Sequence, residues 1–310
     1  MTARRSAAVL GMLSLFGVNS ACSRANVYAV TDAESGSNGD AATPTACPSP
    51  ALQPGDTSYT LQVGSVSRSY VLHVPSAYDG TKPVALIVDF HGIGGTGWGE
   101  LSSSPYPAVT DLDGAVMAFP DGMTGPIGTG WNMGPCCVAG VDDLGFVKAM
   151  VTKIQQTTCV DPFRIYAVGV LTGGGMVNFL ACDAADVFAA VAPAAFDLLQ
   201  ETADTCVPSR PITEVSFRGT ADTRVPYAGG ASSLVPGMPI TFLGAQATFT
   251  RWAQINRCTG AASPPDASGC SSYSGCADGV EVILCTKQGG REEPGDASIA
   301  WPVLKRHSLH

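Results

Sequence analysis

The sequence predicts an α/β fold: a mostly parallel central sheet with helices on both faces. Three observations carry that prediction. Near-continuous apolar runs at 84–90, 115–119 and 164–170 have the signature of strands buried on both sides. Segments of helical period, at 143–158 and 242–256, fall among the strands. A chain of 310 residues, 45% of them hydrophobic, is long enough to bury a sizeable core.

Taken in order, residues 1–22 read as an export signal. Arg4 and Arg5 precede a short apolar run, which ends in small residues before Cys22. The run is too short to span a bilayer, which needs about 20 residues. Two outcomes stay open: lipidation of Cys22, as in a bacterial lipoprotein, or ordinary cleavage nearby. Residues 23–55 are rich in Ser, Gly, Asp, Thr and Pro and read as a flexible linker. The folded domain is expected over 56–310. Alternating residues at 59–63 and 69–74 predict an antiparallel hairpin. Further strands are expected at 188–192, 212–217 and 280–285, with helices near 174–182 and over 298–308. Asp142 and Asp143 are expected to cap the helix that follows them.

The 11 cysteines agree with export. With one at position 22, ten remain for up to about five disulfides. Adjacent Cys136 and Cys137 are each expected to bond elsewhere. No C-x-x-C pair occurs and only four histidines exist, so no metal site is expected. A net charge of −9 disfavours nucleic acid and anionic lipid surfaces. Membrane attachment is therefore expected only through a lipid on Cys22. No P-loop, dinucleotide fingerprint or EF-hand is present, and no cofactor is expected.

One turn carries the chemical signal. Gly169-Val170-Leu171-Thr172-Gly173 runs from a predicted strand into a predicted helix. That is the setting of a nucleophile elbow, G-x-S-x-G, with Leu171 where Ser belongs. Other stretches fit the same reading in order and spacing. They are Asp89-Phe90-His91-Gly92, Gly130-Trp131-Asn132, Cys136-Cys137, Asp142-Asp143-Leu144-Gly145-Phe146 and Gly219-Thr220-Ala221-Asp222. Over about 57–305 the chain resembles the secreted polyhydroxybutyrate depolymerases and feruloyl esterases, which are α/β-hydrolases.

The resemblance implies a Ser–Asp–His triad in that chain order. Asp222 matches the acid. Leu171 stands at the nucleophile and Glu292 at the histidine, with Glu293 the alternative if the loop shifts by one. Backbone N–H groups of Ile93 and Thr172 match the oxyanion hole, and Trp131 and Asn132 match the border of the substrate cleft. The ligands implied are an ester-bearing small molecule, a polyester or a plant-wall polysaccharide. Three functions follow from these residues. The first is a catalytically impaired esterase that binds in the inherited cleft. The second is a working ester hydrolase with a non-standard nucleophile such as Thr172. The third is a non-catalytic surface lipoprotein with protein partners.

Overall fold

The computed structural model describes residues 47–235 and 238–309. The export signal, Cys22, linker residues 23–46 and His310 lie outside the described residues.

The expected hairpin forms as β1 (Gly55–Val63) and β2 (Val66–Val74), turning at Gly64 with φ 57°. Next come β3 (Val84–Phe90), α1 (Gly97–Ser103), α2 (Pro107–Thr110) and β4 (Val116–Pro120). A small hairpin, β5 (Met123–Gly125) and β6 (Gly128–Gly130), leads to α3 (Asp143–Thr157). Then follow β7 (Val160–Val170), α4 (Thr172–Asp183), β8 (Ala190–Ala194), α5 (Gln200–Ala203) and β9 (Thr213–Gly219). A second small hairpin, β10 (Gly230–Val235) and β11 (Met238–Phe242), precedes α6 (Ala245–Ile255). The chain closes with β12 (Cys270–Tyr273), β13 (Val282–Lys287) and α7 (Ala297–Leu304).

Nine strands make one sheet in the order β1-β2-β4-β3-β7-β8-β9-β13-β12. The run from β4 to β13 is parallel, and the antiparallel pairings lie at the two edges. Every residue of β4, β8 and β9 is buried, because helices cover both faces. Phe146 of α3, Met176 of α4 and Trp252 of α6 pack on one face. Ala300 and Trp301 of α7 pack on the other, against Met117 and Tyr166.

Some local expectations are corrected. The helix expected from 242 starts at Ala245, because Phe242 closes β11 and Gly244 turns the chain at φ 92°. Asp142 caps α3, accepting from the Gly145 N–H at 2.7 Å. Asp143 does not. It is buried, pairs with Arg68 at 2.6 Å and accepts the Asn132 N–H at 2.6 Å. Five disulfides form among the described residues: Cys47–Cys159, Cys136–Cys137, Cys182–Cys206, Cys258–Cys276 and Cys270–Cys285. Cys136 and Cys137 thus bond to each other, contrary to expectation. A cis peptide brings their Cα atoms within 3.1 Å. Cys47 ties down the chain ahead of β1, and Leu52 packs against the core. Packed structure therefore begins inside the stretch expected as linker.

Candidate active site

The C-terminal ends of β3, β7, β9 and β13 deliver Ile93, Leu171, Asp222 and Glu292 to one edge of the sheet, where α/β folds place their ligand sites. Between β7 and α4 the backbone makes a sharp turn with Leu171 at φ 53° and ψ −123°. That conformation is foreign to a branched residue and costs about 1–3 kcal/mol. The flanking glycines explain how the turn closes. A Cβ on Gly173 would lie 2.8 Å from the His91 carbonyl oxygen and nearer still to the Phe90 carbonyl. A Cβ on Gly169 would lie 2.8 Å from that same Phe90 oxygen. The elbow is therefore built in full around a side chain without nucleophilic chemistry. The Leu171 N–H is held by the Ala194 carbonyl at 3.0 Å, and the side chain lies against Gly92.

The β3 loop is fixed by a buried histidine. His91 Nε2 accepts from the Gly122 N–H at 2.9 Å, and Nδ1–H donates to the Gly92 carbonyl at 2.7 Å. Burial lowers its pKa, so it stays neutral. Both ring nitrogens are engaged, and His91 is a structural residue. Gly94 and Gly95 donate to Thr129 and Gly92, while the Ile93 and Thr172 N–H groups meet no acceptor among the described residues. They are the two donors expected of an oxyanion hole. Thr172 is fully buried, and its Oγ1 has no partner among the described residues.

Asp222 is buried at 6% exposure. Its Oδ1 accepts the N–H groups of Arg224 at 2.8 Å and Val225 at 2.9 Å. Its Oδ2 is buried with no partner among the described residues. Arg218, itself buried, donates to the Val225 carbonyl at 2.6 Å and pairs with Asp197, fixing the turn from behind. Burial, the largest influence, pushes the Asp197 carboxyl up to about 6, against the pull of Arg218.

The Asp222 loop is zipped to the loop after β13. Ala221 N–H donates to the Gly290 carbonyl at 2.8 Å, and Gly289 N–H donates to Thr220 Oγ1 at 2.9 Å. Gly219 is needed because a Cβ would collide with the Gly290 and Arg291 carbonyls. Glu292 thus reaches the right neighbourhood, but its carboxylate turns to Arg224 at 2.9 Å. Glu293 pairs with Lys287 at 3.1 Å. Among the described residues no histidine takes the vacant role. His73 pairs with Asp56 and Asp111, and His307 with Glu281.

One expected cleft residue, Trp131, is corrected, while Asn132 is partly exposed. Trp131 faces no cleft: it is fully buried, donates to the His91 carbonyl at 2.9 Å and stacks edge-on against Phe90. Asn132 spends its side chain on its own loop, donating to Val141 and accepting from Gly134. Their neighbours Met133 and Gly134 instead line a cavity of about 280 Å³ beside α4, with Asn178, Phe196 and Asp197. A second cleft, about 400 Å³, lies between Ile93, Ile127 and Arg224. Sequence reasoning missed both because their walls bring together residues far apart in the chain that form no motif. Among the described residues no group of His, Cys, Asp or Glu is placed to hold a metal.

Comparison with known proteins adds ancestry to this geometry. Over 245 residues the chain is 43% identical to feruloyl esterase B of Piromyces equi, covering 78% of this chain and 46% of that protein. It is 28% identical over 170 residues to feruloyl esterase C of Emericella nidulans, covering 53% of this chain and 58% of the relative. The chain therefore spans about half the length of the curated relatives it matches. An acetyl xylan esterase from Aspergillus awamori superposes with a TM-score of 0.56 at 16% identity, over 76% of this chain and 93% of the other. That likeness speaks to fold. No family model matches the chain.

Proposed function

We propose that this chain, which belongs to the feruloyl esterase family of α/β-hydrolase esterases, is an exported member that binds esters in the inherited cleft with catalysis greatly impaired. Its ligand class is an ester-bearing wall polysaccharide or a related small ester. One observation carries the reading. Leu171 occupies the elbow while the oxygen of Asp222 that would orient a histidine stands unpartnered. Leucine has no proton to give and no lone pair with which to attack. Glu292, drawn to Arg224, cannot replace an imidazole that both accepts and returns a proton. Losing the nucleophile or the base of such a triad costs about a million-fold in kcat, roughly 8 kcal/mol. The two free N–H groups would retain a residual rate of roughly 10³–10⁴ over water.

Thr172 is a poor rival nucleophile. It is fully buried, and among the described residues no histidine or carboxylate bonds to its hydroxyl. Five disulfides support an oxidising, extracytoplasmic setting. A non-catalytic surface protein remains the third reading, distinguished by whether esters bind.

The test is hydrolysis of p-nitrophenyl acetate and methyl ferulate by the natural chain beside Leu171→Ser/Glu292→His. The double variant should turn over both and the natural chain should be near background. Robust turnover by the natural chain would overturn the impairment. A silent natural chain that also fails to bind methyl ferulate would overturn the ester-binding role.

A further inference from the structure

At the sheet edge opposite Leu171 lies a further cleft of about 440 Å³, lined by Arg210, Arg251 and Arg257 with Ser209, Gln254 and Val207. The Arg210 contacts fix its place. Its guanidinium donates to the carbonyls of Ala185, Phe188, Ala189 and Pro211, just ahead of β8 and β9. The cleft is therefore at the N-terminal ends of the strands, away from the esterase edge.

Its charge is out of character for the molecule. The chain has 26 acidic and 17 basic residues, yet three arginines and no carboxylate line this cleft. The three differ in what they leave free. Arg210 makes four hydrogen bonds to backbone carbonyls and holds the wall. Arg251 donates through Nε and Nη2 to the Ala203 carbonyl and lies 3.6 Å from the exposed Asp204 carboxylate. Arg257 is exposed, and no acceptor meets its guanidinium among the described residues.

The backbone of Arg257 adds a second, independent observation. It follows the α6 cap residue Asn256 at φ 53°, with its N–H on Gln254 and the Cys258 N–H on Ala253. This left-handed helix-ending position is the one glycine ordinarily takes. A side chain there is strained, and attraction to the helix C-terminus offsets only part of that strain. The structure keeps a strained arginine whose five guanidinium donors meet no acceptor among the described residues.

We propose that this cleft is a second binding site, for a carboxylated saccharide such as a uronate unit of an acidic glycan, with Arg257 as the main contact and Arg251 as its neighbour. A guanidinium fork matches a carboxylate in a bidentate pair. Ser209 and Gln254 can exchange hydrogen bonds with hydroxyls. Val207, 77% exposed, and Pro208 offer an apolar surface to the C–H face of a sugar ring. A nucleic acid is a poorer match, because its affinity comes from neutralising several phosphates at once, whereas Arg210 and Arg251 in this cleft are already engaged by backbone carbonyls. The site does not depend on the esterase cleft, which opens at the other edge.

The test is affinity electrophoresis of the full chain through gels containing polygalacturonate, with neutral dextran as control. Arg257→Gly is the deciding variant, because it removes the contact and the left-handed strain together. Polygalacturonate should retard the natural chain, and dextran should not. Arg257→Gly should bind about tenfold more weakly, as expected for loss of one charge-assisted pair, while its Tm stays equal or rises. Leu171→Ser/Glu292→His should be retarded like the natural chain. Absence of retardation, or equal retardation of Arg257→Gly, would overturn the site. Stronger retardation in dextran sulfate than in polygalacturonate would overturn the assignment to carboxylate.

Discussion

Gly173→Ala should be among the most damaging one-methyl changes in this protein. Gly173 is the second residue of α4, where glycine in an open helix costs up to about 1 kcal/mol relative to alanine. Propensity alone therefore predicts a gain. The structure reverses the sign. The new Cβ would stand 2.6 Å from the Phe90 carbonyl carbon and 2.8 Å from the His91 oxygen. Those are backbone atoms at the end of β3, which is hydrogen-bonded to β4 and β7 on its two sides. They cannot swing away as a side-chain tip would. Overpacking of this kind typically costs 1–3 kcal/mol, and immovable neighbours put it at about 3. For a domain of this size that lowers Tm by roughly 6–12 °C. Thermal unfolding followed by circular dichroism reads the shift. In Leu171→Ser/Glu292→His, the same change should cost about 10²–10³ in kcat by displacing the Thr172 donor. A Tm that holds or rises would refute the claim that the elbow is closed to a Cβ.

Other perturbations separate structural from vestigial groups. Glu292→Gln should change stability by less than about 1 kcal/mol in urea titration, since the pair with Arg224 is substantially exposed. Arg68→Met should cost about 3–5 kcal/mol, because it leaves the Asp143 carboxylate buried without its cation; adding Asp143→Asn should recover part of that loss. Glu214 is fully buried on β9, and desolvation first, then the Asp197 charge, pushes its carboxyl up to about 8. The folded chain therefore keeps a proton that the unfolded chain releases above its ordinary value of 4.5. Stability should fall as pH rises from about 4.5 to 8 through this group, and Glu214→Gln should flatten that slope in urea midpoints.

The sequence made the scaffold legible because its signals were strong. Fully buried strands write themselves as apolar runs, and the elbow writes itself as paired glycines. Leu171, Asp222 and Glu292 were matched to triad positions through the family resemblance, and the fold brings the loops that follow β7, β9 and β13 to one edge of the sheet. The polar partners were less visible. That Glu292 turns to Arg224, and that His91 Nε2 accepts from Gly122, depends on loop packing across long sequence separations. Trp131 was misread because a tryptophan near a cleft motif looks the same whether it lines the cleft or supports it. The Cys136–Cys137 bond was missed because adjacent cysteines with a trans peptide reach apart, and nothing in the sequence announces the cis bond.

The central claim is that position 171 carries no nucleophile in an otherwise complete elbow. Labelling with a fluorophosphonate, followed by peptide mass spectrometry, tests it most directly. The account predicts no covalent adduct on the natural chain, and an adduct on residue 171 of Leu171→Ser/Glu292→His. A stoichiometric adduct on the natural chain, at Thr172 or elsewhere in the cleft, would contradict it.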